Sequence, residues 1–415
     1  MQCTNKLLHS VKSTALQLSK PTVQKIITPT VLMLSLVSFF NDISSEMLVP
    51  VMPMFLKHIG FTVVFIGVLE GIAEAVAGLS KSYFGRRSDL AGKRLPFIRL
   101  GYALSAFSKP LMAIFVYPLW IFFARTMDRM GKGIRTGARD ALLSSEATPE
   151  TKGRVFGFHR GMDTFGAVIG PAIALIYLYY HPNDYTTLFL LTFAPGVLVI
   201  LLTRFIKEKT VPVKTNLTKA SLFAFVDYWK TGPKAYRKLV TGLLLFALFN
   251  SADVFLLLKM KEGGMRDTYV VGIYIFYNIV FALLAFPLGS LADKIGLKKI
   301  FLSGLFIFAL VYAGFALTNN TTAFLVLFFL YGIYNAATDG ISKAWISNMV
   351  SKGETATAIG TYAGFQSICA LLASSFCGLL WYNFGATVTF LITAGMTLIV
   401  IIYLFGCKSP DKEKT

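Results

Sequence analysis

The feature that most constrains this chain is a long series of apolar segments, each long enough to cross a bilayer as a helix. A membrane-spanning α-helix needs about 20 mainly apolar residues, because the hydrocarbon core is about 30 Å thick. Six such segments lie at roughly 30–55, 62–84, 97–116, 118–142, 154–180 and 186–205. Six more lie at roughly 239–260, 268–290, 299–318, 322–346, 355–381 and 386–406. We therefore expect an all-α membrane protein with twelve transmembrane helices in a lipid bilayer.

Composition and charge agree with a membrane protein. Only 15% of the 415 residues are charged and 55% are hydrophobic, whereas a soluble domain has about 25% charged residues. The formal net charge is +19, but the basic residues fall between the apolar segments, so we assign them to membrane topology and expect no nucleic-acid partner. The cysteines and histidines show no metal-ligand spacing, and no phosphate-binding loop is present, so no metal, cofactor or enzymatic activity is expected.

One long basic segment divides the chain. Most connections are short, but residues 206–238 form a linker rich in lysine. The linker separates an N-terminal six-helix bundle, residues 28–205, from a C-terminal one, residues 239–406, with tails at 1–27 and 407–415. The excess of Lys and Arg in the linker, both tails and two further loops places these parts in the cytoplasm. The expected location is the cell inner (cytoplasmic) membrane, with many passes and both termini cytoplasmic.

The two halves repeat one another. Gly85 to Arg94 follows the second predicted helix, and Gly289 to Lys299 follows the eighth at an offset of about 204 residues. Both segments carry Gly, then Asp, then Gly and a basic pair. A parallel repeat of six-helix halves predicts two pseudo-symmetric bundles with a binding site between them near the midplane.

These motifs resemble those of the major facilitator superfamily. Residues 289–299 follow its Gly-x-Leu-Ala-Asp loop pattern closely. Residues 85–94 are similar but depart from the family's spacing between Asp89 and Gly92. Residues 125–131 are similar to the family's Arg-x-x-Gln-Gly-x-Gly pattern, and 166–171 to the Gly-x-x-x-Gly-Pro pattern of its antiporters. The resemblance covers about residues 28–406 and implies alternating access by two halves in a monomer. Gating would then depend on Gly85, Asp89, Gly289 and Asp293. The glycines allow sharp turns, and the aspartates can pair with cations or helix N-termini.

Carboxylates inside the predicted helices are candidates for proton coupling, because an ionisable group in the membrane is costly and is a functional candidate by default. Asp42 and Glu46 are four residues apart, as are Glu70 and Glu74, so the two carboxylates of each pair lie on one face of their helix. The candidates are Asp42, Glu46, Glu70, Glu74 and Asp163.

Polar groups at similar depth are candidates for substrate binding. The first half offers Lys109, Arg125, Asp128 and Arg129. The second half offers Asn250, Asp253, Tyr274, Tyr277, Asn278, Tyr334, Asn335 and Gln366. Aromatic and amide side chains can line a pocket for a small organic molecule. The alternative is structural: the charges can neutralise one another as ion pairs, and Tyr and Asn can bridge helices.

The interpretation is a proton-coupled secondary transporter of a small organic solute, working as an exporter or antiporter. A proton would be coupled if Asp42 or Glu70 competed with the substrate for Arg125 or Arg129, since a carboxylate that loses its cation binds a proton more readily. An uptake symporter or a facilitator remains open, as does a membrane receptor or scaffold that transports nothing.

Overall fold

The computed structural model describes residues 26–49, 51–52, 55–56, 59–61, 63–115, 117–208 and 224–407, without the side chains of 63–68, 70, 224–225, 267–268 and 271. The predicted tails 1–27 and 407–415, apart from residues 26–27 and 407, and much of the predicted linker lie outside this part. The described residues form α-helices joined by short turns, and the sequence prediction of an all-α protein is confirmed.

The first half contains seven described α-helices. They are α1 (Pro29–Glu46), α2 (Val63–Ala91), α3 (Leu95–Ile114), α4 (Pro118–Ser145), α5 (Lys152–Tyr180), α6 (Tyr185–Leu191) and α7 (Phe193–Leu202). Pro29 and Pro118 each begin a helix, where the missing N–H costs nothing. Helix α5 packs on α1, and α4 packs on both α2 and α3.

The second half follows a short helix in the predicted linker. That helix is α8 (Ala224–Thr231), and it precedes α9 (Lys234–Ala247), α10 (Val254–Glu262), α11 (Asp267–Ile295), α12 (Leu297–Leu317), α13 (Thr321–Asn348) and α14 (Thr355–Phe405). Helix α14 turns at Gly385, where φ is +79° and a side chain would be strained. Within the described residues, six helical segments are long and apolar enough to cross a membrane. The described helices match the twelve expected spans when α6–α7 and α9–α10 each count as one broken span and α14 as two.

Two predicted spans differ in shape from the observed helices. The span predicted at 30–55 is interrupted: α1 ends at Glu46, residues 47–49 form a turn, and Met52, Phe55 and Leu56 are helical again. The span predicted at 239–260 begins earlier, at Lys234, and is interrupted between Ala247 and Val254. The interruption contains Asn250, Ser251 and Asp253, short polar residues that compete with helical backbone hydrogen bonds.

The halves meet most closely near the two loops that carry the repeated motif. These loops turn at Gly92 and Gly296, with φ of +62° and +111°, and we call this side of the molecule the motif side and the opposite side the far side. A Cβ placed on Gly85 would lie 2.6 Å from the carbonyl oxygen of Ala356, and one on Gly153 would lie 2.5 Å from that of Gly289. Because only glycine permits such approach, α2 contacts α14 and α5 contacts α11 backbone to backbone on this side.

Candidate substrate and proton site

A central cavity of about 350 Å³ lies between the halves. It is lined from the first half by α1, α2, α4 and α5 and from the second by α11, α13 and α14. Among the described residues, six basic and five acidic side chains reach it: Lys81, Lys132, Arg135, Arg139, Arg160, Lys343, Asp42, Glu46, Asp140, Asp163 and Asp339. So many charges in an interior facing both halves need counter-charges or a polar ligand.

Two carboxyl groups face each other on one wall of the cavity. Asp42 on α1 is within hydrogen-bonding reach of Asp163 on α5. Ser38 donates a hydrogen bond of 2.6 Å to Oδ1 of Asp163, and Asn41 donates one of 3.1 Å to Oδ1 of Asp42. An ionised carboxylate can only accept hydrogen bonds. A hydrogen bond between these two groups therefore requires a proton on one of them, which the pair shares.

Arg160 links this carboxyl pair to the other half. Its guanidinium pairs with Asp163 one turn along α5 and with Asp339 on α13. The planar fork of arginine is suited to hold two carboxylates at once. One side chain therefore contacts both an acid of the carboxyl pair and an acid of the opposite half.

A second ionic link joins the halves beside the first. Asp140 on α4 is fully buried and is paired with Arg139 at 3.0 Å and with Lys343 of α13 at 3.2 Å. Arg139 also donates a hydrogen bond of 3.0 Å to Ser38, the donor to Asp163. A continuous polar network thus runs from Asp42 through Asp163 to both contacts with α13.

The second half contributes an aromatic cluster at the interruption before α10. Asp253 accepts hydrogen bonds from Tyr331 at 2.7 Å and from Tyr277 at 3.3 Å. Asn250 donates to the hydroxyl of Tyr334 at 3.1 Å. Of the residues predicted here, Tyr274, Tyr277, Asn278 and Gln366 line the central cavity. A smaller cavity of about 180 Å³ beside it is lined by Asn250, Tyr334, Asn335 and Gln366, among others.

Four charged residues predicted for substrate binding lie instead among the helices of the first half. Lys109 is 1% exposed and donates to Ser44 at 2.6 Å. Arg125 pairs with Asp128 at 3.7 Å, and Arg129 pairs with Glu74 at 3.7 Å. None of the four is among the described residues that line the two cavities. The side chain of Glu70 lies outside the described part of the structure.

The repeated motif places one aspartate of each half on a helix of the other. Asp89 accepts hydrogen bonds from the backbone N–H and the hydroxyl of Thr357, at 2.7 and 2.8 Å, at the start of α14. Asp293 accepts them from the backbone N–H groups of Gly153 and Arg154, at 2.7 and 2.9 Å, at the start of α5. The first N–H groups of a helix lack helical partners and carry partial positive charge, so each carboxylate stabilises the closed motif side.

Several residues of the site were not among the predicted ones. Lys81, Lys132, Arg135, Arg139, Asp140, Arg160, Asp339 and Lys343 all line the central cavity. Because these charged residues lie inside predicted membrane helices, the sequence already marked them as possible functional residues. The contacts that these residues make across the halves, however, are not visible in the sequence.

Two bundles of helices around a charged cavity, joined by matching contacts on one side, define a polytopic membrane transporter. The family model of the Major Facilitator Superfamily matches residues 34–276 and 268–415. The chain therefore belongs to the major facilitator superfamily.

Relatives and solved structures agree with this assignment. An uncharacterized MFS-type transporter of Methanocaldococcus jannaschii is 32% identical over 89% of this chain and 92% of its own length. Multidrug resistance protein MdtG of Klebsiella pneumoniae is 24% identical over 88% of this chain and 90% of its own. The crystal structure of the human organic anion transporter MFSD10 superposes with a TM-score of 0.75 at 15% identity, covering 91% of this chain and 100% of that chain. At that identity, the likeness concerns the fold alone.

Proposed function

We propose that this protein is a proton-coupled secondary transporter that exports a small organic solute by alternating access. The carboxyl pair of Asp42 and Asp163 on the cavity wall is the observation that carries the proposal. Two adjacent carboxylates cannot both ionise without mutual repulsion, so the pair takes up and releases a proton as its surroundings change. The charged groups around Asp42 are Glu46, Lys109, Lys132, Arg160 and Asp163.

Arg160 supplies the connection between the proton and the conformational change. While Asp42 and Asp163 share a proton, Arg160 is free to hold Asp339 on α13 as well. When that proton leaves, two anions compete with Asp339 for the same guanidinium. The contact between the halves weakens, and the motif side opens. This pairing replaces the competition for Arg125 and Arg129 as the favoured mechanism.

Export is supported by one relative, and topology identifies the side that is closed. The excess of Lys and Arg places the motif side in the cytoplasm, so the closed motif side corresponds to a state closed toward the cytoplasm. The relative from Klebsiella pneumoniae is named a multidrug resistance protein. In an antiport cycle, protons enter the cavity from outside. Their passage to the cytoplasm accompanies the opening of the motif side, where the solute then binds.

The experiment is a flux screen in proteoliposomes that contain the purified full chain, with an imposed pH gradient and a panel of metabolites and drugs. At least one solute should accumulate against its gradient on the acidic side of the membrane. Asp42→Asn should abolish that accumulation while exchange of the same solute at equal pH persists, because asparagine keeps the shape but not the titrating group. Asp227→Asn, at an exposed position of α8, is the matched control and should transport as the unmodified chain does.

The outcomes separate the competing functions. Accumulation on the alkaline side would identify a proton symporter, and gradient-independent equilibration would identify a facilitator. No flux of any solute, together with no effect of Asp42→Asn, would favour a receptor or scaffold.

A further inference from the structure

A membrane-facing groove opens between the two halves, beside the central cavity. It has a volume of about 630 Å³ and runs between α2 and α14. One wall carries Gly71, Ala75 and Leu79 of α2, and the other carries Ile368 and Leu371 of α14. Leu79, Ile368 and Leu371 are 39%, 45% and 65% exposed. In a bilayer, such a surface faces the acyl chains.

Sequence spacing and packing explain why the groove lies where it does. A Cβ on Gly78 would lie 2.9 Å from that of Ser367, so the two helices touch at this level. They also touch at Gly85 and Ala356, closer to the motif side. Beyond Gly78, toward the far side, the facing residues include glycine and alanine on α2, and these leave room between the helices.

The groove and the central cavity share residues. Lys81 and Gln366 line both. A molecule that lies in the groove can therefore place a polar end in the cavity without leaving the membrane. This continuity requires a ligand that is apolar at one end and polar at the other.

The charge of the cavity decides which polar end fits. Lys81, Lys132 and Lys343 of three different helices lie within electrostatic reach of one another. Lys343 is paired with Asp140, whereas the side chains of Lys81 and Lys132 form no hydrogen bond or ion pair in the described part of the chain. Most acids of the cavity that are described have partners: Asp163 and Asp339 pair with Arg160, and Asp140 pairs with Lys343.

Two carboxylates remain close to the proposed ligand. Glu74 lies on the groove wall and is paired with Arg129 at 3.7 Å, so its charge is offset. Glu46 lines the cavity from α1. Among the described residues that line the cavity, six side chains are basic and five are acidic.

We propose that the substrate is an amphiphile with an acidic headgroup, a phosphate or carboxylate, that enters from the bilayer through the groove between α2 and α14. The headgroup binds the ammonium groups of Lys81 and Lys132, and the apolar tail lies against Ala75, Leu79, Ile368 and Leu371. This inference rests on the proposed transport function and names the substrate class of the same site.

The test is photolabelling of the full chain in lipid nanodiscs with dodecyl phosphate that carries a diazirine on its tail. Labelled peptides are mapped by mass spectrometry, so the assay needs neither transport nor a pH gradient. Label should fall within 71–79 and 364–374. Lys81→Gln and Lys132→Gln should each reduce that label roughly tenfold, the effect of one lost charge-assisted contact. Lys238→Gln, at the motif-side end of α9, is the charge-matched control.

A second variant tests the groove itself. Ala75→Trp fills the groove and should reduce label in the 364–374 segment, whereas Ile72→Trp, at an exposed position on the same helix outside the groove, should not. Thermal unfolding of each variant shows that it is folded. Because Ala75→Trp leaves every charge in place, its effect separates loss of the tail site from loss of the headgroup site.

Competition identifies the chemistry of the ligand. Dodecyl phosphate without the diazirine should compete for label, and dodecyltrimethylammonium should not. Equal competition by butyl phosphate would show a water-soluble organic anion as ligand and would overturn the proposal. Label in the groove that is unchanged in both lysine variants would show that ordinary lipid fills it, which also overturns the proposal. If the unmodified chain shows no label in the groove but still transports a solute with the proton gradient, this inference fails and the proposed function stands. If the groove is labelled but no solute is transported, the proposed function fails and the binding site inferred here stands.

Discussion

At the scale of the single residue, Arg160 has the most demanding position in the molecule. Its guanidinium is paired with Asp163 of its own helix and with Asp339 of the opposite half, and it lies 5.4 Å from the ring centre of Phe281. An ammonium group is a single point charge and cannot serve two carboxylates in one plane as a guanidinium does. Positive charge alone therefore does not satisfy the site.

Replacing Arg160 by lysine tests this requirement. Arg160→Lys should lower the rate of solute exchange at equal pH by roughly tenfold or more, since one of two charge-assisted contacts is lost. The measurement is counterflow of a transported solute in proteoliposomes. Arg204→Lys, at an exposed position beyond α7, is the control. An Arg160→Lys variant with the unmodified exchange rate would show that the fork is not needed.

At the scale of the helix, the motif side is held by carboxylates on helix N-termini. Asp89 serves α14 and Asp293 serves α5, so each half fixes one helix of the other. A carboxylate at such a position contributes about 1 kcal/mol, or about a fivefold change in an equilibrium. Two such contacts suffice to bias a conformational equilibrium between halves without locking it.

Neutral variants of these aspartates should shift that equilibrium. Asp89→Asn or Asp293→Asn should slow turnover and raise the population that is open on the motif side, while substrate affinity stays nearly the same. Spin labels at Lys93 and Lys352, exposed on opposite halves, report the opening as a longer distance by double electron–electron resonance. A hundredfold loss of substrate affinity would place either aspartate in the binding site.

The sequence predicts helices well and contacts between distant helices poorly. Asp89 and Asp293 could be found because they lie in a repeated motif with glycine at fixed spacing. Asp339 and Lys343 are not among the residues predicted for the site, yet they line the cavity because α13 packs on α5 and lies opposite α4. The interruption of the span predicted at 239–260 had only a weak sequence signal, the polar residues Asn250 and Asp253. Which helix faces which is decided by packing of elements far apart in the chain.

At the scale of the whole molecule, the membrane orientation decides whether the closed motif side faces the cytoplasm or the outside. The basic loops predict the cytoplasm for both termini and for the linker. This orientation stays a prediction, and the assignment of the closed side to the cytoplasm rests on it.

Cysteine accessibility in intact cells tests the orientation. A cysteine at Asn320, between α12 and α13, should react with a membrane-impermeant maleimide added from outside. A cysteine at Lys219, in the part of the linker outside the described residues, should react only after the cells are permeabilised. Labelling of the Lys219→Cys variant in intact cells would reverse the topology.

The central claim is that a proton on the Asp42–Asp163 pair favours the state closed on the motif side. By linkage, the state that binds the proton more tightly gains population as the pH falls. The most direct measurement is the distance between spin labels at Lys93 and Lys352 as the pH is lowered from about 8 to about 5. The account predicts that the short-distance population grows more strongly in the unmodified chain than in Asp42→Asn, in which the remaining pH dependence comes from Asp89, because burial raises the pKa of that carboxyl to about 6. The same pH dependence in both proteins, or none in the unmodified chain, would contradict it.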